Sequence, residues 1–373
     1  MNADPASGGA AHGGGAPGAA APGAAAQGSA AEPGGAAGPR VLGPLAGLAV
    51  AAAVAAVLAV AAPYPVAAFG VALLGPLHVL LAVRYLTGRV SGAVRGPAAR
   101  LLIAAVAAMA LVRAFAAIDP RVGQLLETAG GVAVLSVAIL WGLRGAWRSL
   151  ALLPLLLLGA GALAQTSWYW FALTHAHNLV PLVFLWDWAR RYAPAMRWAF
   201  TGACAALMLG FPAAVLVGLV DPSSGTASAG LVAGFADPSS LVAGVSHHGM
   251  SHELSARLFA AFVFLQLFHY ALWAGFFQLR GRAEVARSQL PSGRRFWLLA
   301  GGVTLLCWVG YAVGYADGRA LYAVLGALNV ALEQPIAVWL LLTALPDRAT
   351  SPLVAGLRAG GGSHGPATPT PEG

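Results

Sequence analysis

The sequence predicts an all-α polytopic membrane protein: a transmembrane helical bundle of about ten spans, with both termini on the cytoplasmic side. Three observations carry this expectation. Of 373 residues, 59% are hydrophobic and only 9% are charged, where a soluble domain carries roughly a quarter. Apolar runs of about 20 residues, the length that crosses ~30 Å of hydrocarbon as a helix, recur along most of the chain. They are continuous rather than alternating, which favours helices over a closed strand barrel. Finally, the positive charges fall between the runs and mostly on one side of them.

Residues 1–40 are Ala, Gly and Pro with few large apolar side chains, and are expected to be a disordered tail. No basic stretch precedes the first apolar run, and that run is long, so it reads as a retained span rather than a cleaved signal. The transmembrane domain covers 41–348, and 349–373 forms a second Gly/Pro-rich tail. The spans fall at roughly 42–62, 66–86, 98–118, 131–148, 149–169, 171–189, 197–220, 254–279, 296–316 and 319–345. Arg144 and Arg148 alone separate the fourth from the fifth. The outer connection 221–253 repeats DPSS at 221–224 and 237–240 and LVAG at 231–234 and 241–244, which reads as a duplication within a flexible loop.

All 21 basic residues are arginine. With the N-terminus in the cytoplasm, seventeen of them lie at inner ends. Arg121 and Arg319 fall in outer loops, and Arg113 and Arg257 lie within or at the edge of spans. This is the bias of the positive-inside rule, and losing or gaining one span would scramble it. The expected location is the cell inner (plasma) membrane, with the lipid bilayer as the main partner. The net charge of +8 forms no basic face with interleaved aromatics, so a nucleic-acid partner is not expected. Cys204 and Cys307 lack metal-type spacing.

Ionisable groups inside spans are costly and therefore functional candidates. At ~1.5 Å per residue, His78, His177, His269 and Glu333 lie within about 5 Å of the middle of their spans, and His175 about 3 Å further out than His177. Four helices thus bring imidazoles and a carboxylate to one depth. His175 and His177 differ by about 200° around a helix, so only one can face a shared point. Pro181 removes the N–H that would bond the His177 carbonyl, so the helix should loosen at the histidine pair. Asn178, Gln266 and Asn329 share faces with His175, His269 and Glu333 respectively, as partners that would orient a ligand. The outer loop offers His248 and His252, four apart, as a possible separate metal cluster, and the HExxH order of zinc proteases is absent there. Asp187, at the inner end of its span, is expected to pair with Arg190 and Arg191.

Histidines spread singly over several spans resemble the membrane-embedded non-haem iron oxygenases, with the bacterial carotene-cleaving type nearest in layout. That resemblance implies iron held by histidines of different helices, here His78, His175 or His177, and His269. It also implies a lipid-soluble substrate. The family's HxxxH pair has its spacing here only at His248/His252, and the desaturase order of HxxxH followed by HxxHH is absent. Non-haem iron with Glu333 as the catalytic carboxylate is one reading of the residues. A haem held by two facing histidines is a second. A transporter without a cofactor, using the same groups to relay protons or bind a small molecule near the midplane, is a third.

Overall fold

The computed structural model describes residues 41–116 and 118–360. They are helical, and among them there is no β-strand element beyond one isolated bridge, Leu143 to Thr350. The helices are α1 (Leu42–Ala61), α2 (Pro63–Val90), α3 (Pro97–Phe115), α4 (Pro120–Gly142), α5 (Ala146–Ala164), α6 (Thr166–Ala176), α7 (Pro181–Trp188) and α8 (Pro194–Leu216). They continue with α9 (Pro238–Ala243), α10 (His252–Tyr270), α11 (Phe277–Arg280), α12 (Arg282–Ala286), α13 (Gly293–Val313), α14 (Tyr315–Leu342) and α15 (Pro352–Gly360). Among the described residues, eight helices are long and apolar enough to cross a membrane, counting α10 and α11 as one helix through the turn that joins them. The eight exclude α3 and the broken pair α6/α7.

Proline opens α2, α3, α4, α7 and α8, where its missing N–H has no partner to lose and its fixed φ is already helical. Asp119 caps α4 by accepting from the amides of Arg121 and Val122, both at 3.1 Å. That start is eleven residues earlier than the sequence places the fourth span. The added turns contain Glu127, which the helix can hold because Arg113 of α3 donates to it at 3.0 Å. The helix then turns back into α5 at Gly145, whose φ of +53° suits glycine.

The long helices α14 and α2 form the middle of the bundle. α14 packs on α2, α3, α4 and α13, while α10 packs on α1, α2 and α8. The core they share is aromatic, with Tyr85, Phe184, Phe264, Phe268, Trp273 and Trp339 almost wholly buried. Outward faces carry leucine instead: Leu150, Leu153, Leu157 and Leu158 of α5 are all exposed, as a helix bordering lipid requires. Buried tryptophans also mend the backbone. Pro76 lies inside α2 and leaves the Ala72 carbonyl without its helical donor, and Trp308 Nε1 of α13 supplies one at 2.9 Å. Where Gly88 lies against the Glu284 carbonyl there is no room for a Cβ, so α12 seats directly on α2.

Three expectations are corrected. The connection 221–253 is not a loose loop. It forms a 3-10 stretch, Pro222–Leu231, and then α9, capped by Asp237 through the amides of Ser239 and Ser240. Val232, Leu241 and Val245 are buried there, and the Ser239 hydroxyl and amide hold the Asp237 carboxyl below its ordinary range. The C-terminal segment is also structured as far as Gly360. Val354 and Leu357 of α15 are buried, and Arg358 donates to the carbonyls of Thr343 (3.0 Å) and Leu345 (2.6 Å) while pairing with Asp347. The apolar spacing of VAGL within the polar tail was the overlooked signal. The expected tail at 1–40, and the rest of the one at 349–373, lie outside the described residues. Third, the main partner of Asp187 is Arg89 of α2, with Nε–Oδ2 at 2.6 Å and Nη2–Oδ1 at 2.8 Å. Arg190 stands further off at 3.5 Å, and Arg191 packs over the Trp188 ring.

Candidate metal centre

His177, His269 and Glu333 meet in the middle of the bundle. One donor atom from each lies within 4.8 Å of the other two. Two donors at ~2.1 Å from a common ion stand about 3.0–3.4 Å apart at octahedral or tetrahedral angles, so the widest pair would close by up to ~1.5 Å on binding.

Each residue reaches this point for a local reason. His177 begins a 3-10 turn, His177–Leu179, that interrupts the helix between α6 and α7. The loosening expected from Pro181 is present there, and the freed His177 carbonyl accepts from Val180 N at 3.1 Å instead. His269 is the penultimate residue of α10, two residues before a π-helical turn, Ala271–Phe276, a widening that often marks functional positions. Glu333 sits in α14 beside Asn329, whose Nδ2 donates to Glu333 Oε2 at 3.0 Å.

His177 Nδ1 stands 3.6 Å from Glu333 Oε2, and the His177 and His269 ring centroids are 4.9 Å apart. Glu333 is completely buried and His269 nearly so, while His177 keeps 19% side-chain exposure. Both ring nitrogens of His269, together with His177 Nδ1, Glu333 Oε1 and Asn329 Oδ1, are buried without a hydrogen-bond partner. Native interiors rarely leave such groups unpaired, so several around one point call for a partner such as an ion or ordered water. The Trp273 indole N–H approaches Glu333 without closing a good hydrogen bond.

His78 flanks the group: its ring is 5.5 Å from that of His269 and 4.2 Å from that of Tyr270, outside the set of converging donors. His175 does not join. It lies on the opposite face, with Nε2 2.8 Å from the Val245 carbonyl, and ties α6 to the outer connection. Asn178 is buried, but its amide donates back to Thr174 O in the last turn of α6 at 3.1 Å. Gln266 donates to the Tyr270 hydroxyl at 2.9 Å and so supports the ring against His78 rather than His269 itself. At the outer cluster, among the described residues, no third donor joins His248 and His252. Neighbouring His247 stacks on Trp168 at 3.7 Å, and Glu253 pairs with Arg257.

Sequence reasoning missed the cavity beside the centre. About 260 Å³ opens between α3, α4, α6 and α14, and His177 forms a stretch of its wall. Arg113, Glu127 and Arg319 line it too. The signal was there in Arg113 and Glu127, two unlike charges in neighbouring apolar segments.

Fold and site together define a multi-pass helical membrane protein with a buried histidine–carboxylate group. Compared with known protein families, curated proteins and solved structures, the chain matches none.

Proposed function

We propose that the chain is a metal-dependent oxidoreductase of the cell's inner (plasma) membrane, acting on a lipid-soluble substrate. It would have ten spans and cytoplasmic termini, and hold non-haem iron on His177, His269 and Glu333. The observation that carries this reading is the convergence of two imidazoles and one carboxylate with buried donor atoms left unpaired. Two histidines and a carboxylate are the donor set of open-sided iron sites that activate dioxygen. When bound, the ion supplies an open coordination position for redox chemistry. The chain supplies the rest. Asn329 fixes the carboxylate, the buried aromatic shell surrounds the group, and His177 connects it to the cavity whose wall it forms. A haem fits this geometry poorly, because a macrocycle would have to push apart a pair of rings already in contact at 4.9 Å.

Elemental analysis of the detergent-extracted protein tests the proposal. About one iron per chain is expected, lost in both His177→Ala and His269→Ala with the fold retained. Metal content unchanged in both variants would overturn it. One observation favours a second reading, a transporter: the helix break at His177–Leu179 resembles the discontinuous helices of transporters. Metal-free protein that takes up protons in vesicles would select that reading.

A further inference from the structure

The cavity beside His177 is a trough rather than a bowl. Along α14 it runs from Arg319 to Gln334, fifteen residues or about 22 Å, and its floor is Ala323, Gly326, Ala327 and Val330. These small side chains recur at helical spacing and leave a narrow apolar channel between α14 and the facing α3, α4 and α6. At about 260 Å³ it is at the small end of ligand sites, too slight for a two-tailed lipid or a bulky ring system.

Its two ends differ in charge. The end near the start of α14 carries two guanidinium groups, Arg113 and Arg319, and one carboxylate, Glu127. Glu127 is committed to Arg113 at 3.0 Å, and the Arg113 side chain remains 33% exposed. Arg319 makes no ion pair among the described residues, which leaves one positive charge uncompensated at this mouth. At the other end stands His177, with Glu333 one residue before the last trough residue, Gln334.

We propose that the trough binds a single-chain amphiphile with a carboxylate head, the head on Arg319 and Arg113 and the far end of the chain beside His177. A planar carboxylate matches the guanidinium fork and satisfies the unpaired charge. The chain replaces lipid contacts with equivalent apolar walls, so selectivity comes from the head and from the width of the channel. The inference rests on the functional reading above, for which it names the substrate class. It also sets where along that substrate chemistry would fall: many carbons from the head.

Photo-crosslinking tests it on the full chain in phosphatidylcholine nanodiscs, using a hexadecanoate with a diazirine near its methyl end. Labelling is expected on α6 and α14, with unlabelled hexadecanoate competing about tenfold or more better than hexadecanol. In Arg319→Gln that preference should vanish. Nothing stands within 4 Å of a Cβ at Gly326, so Gly326→Phe can fill the channel without disturbing the bundle, and should abolish labelling. Equal competition by the acid and the alcohol, or a preference that survives in Arg319→Gln, overturns the proposal. The same assay on His269→Ala separates the two readings. Labelling retained there supports the trough, whatever the metal content says of the centre.

Discussion

At Glu333 a fully buried carboxylate receives one hydrogen bond, from Asn329, and its second oxygen has no donor. A carboxylate in that setting needs a cation or a proton to offset its charge. Glu333→Gln keeps the shape and removes the charge, so iron content should fall while the thermal melt stays level or rises. Asn329→Leu leaves the carboxylate but frees its orientation, and metal affinity should drop about 10–100-fold in a chelator competition. His175→Ala is the contrast, because that ring bonds a carbonyl at the other face; metal should be unchanged and the fold about 1 kcal/mol less stable. Counting residues was enough to bring His177, His269 and Glu333 to one depth, since depth in a membrane helix is rise times position. Azimuth was not available in the same way. Whether His175 or His177 faced inward depended on how α6 packs, and Gln266 found the Tyr270 hydroxyl, which spacing along one helix could not foretell.

Single helices here are held by side chains that complete what the backbone leaves open. Trp308 replaces the donor lost at Pro76, and Trp188 Nε1 donates to the Arg280 carbonyl at 3.1 Å where α11 ends. The strongest such tie is the pair Arg89–Asp187, which joins α2 to α7 with both side chains no more than 4% exposed. Arg89 also reaches the Leu357 carbonyl, and Arg190 the Arg358 carbonyl, so α15 closes over the same point. Asp187→Ala should cost about 3 to 5 kcal/mol, because it strands a buried guanidinium. The double variant Arg89→Met with Asp187→Leu should recover most of that, as read by thermal melts in detergent. A double variant no better than the single would mean the cost is packing alone. Helix existence was legible because apolar length dictates it, and so was the break at Pro181. The partner of Asp187 was not: Arg190 is three residues away and Arg89 is 98, and only the assembled bundle brings the second one closer.

For the molecule as a whole, the arginines divide by their company. At one end Arg89, Arg190 and Arg358 gather around Asp187 and the C-terminal segment. At the other end Arg113 and Arg257 are each matched to an acid on the protein, Glu127 and Glu253. The proposed orientation puts the first end, with its excess of positive charge, on the cytoplasmic side, as the positive-inside rule expects. Ten spans follow if α3 and the broken α6/α7 cross along with the eight longer helices. Cysteine scanning tests the orientation and exposes a single missing crossing, because native Cys204 and Cys307 are free but buried. Gly92 and Gly230 are exposed positions with open space around a Cβ, one in the α2–α3 turn and one in the connection before α9. A membrane-impermeant maleimide added to intact cells should label Gly230→Cys and spare Gly92→Cys until the membrane is opened. The reverse pattern would invert the protein in the membrane. Labelling of both from outside would show that the number of crossings between them is even and that α3 or the α6/α7 pair does not span.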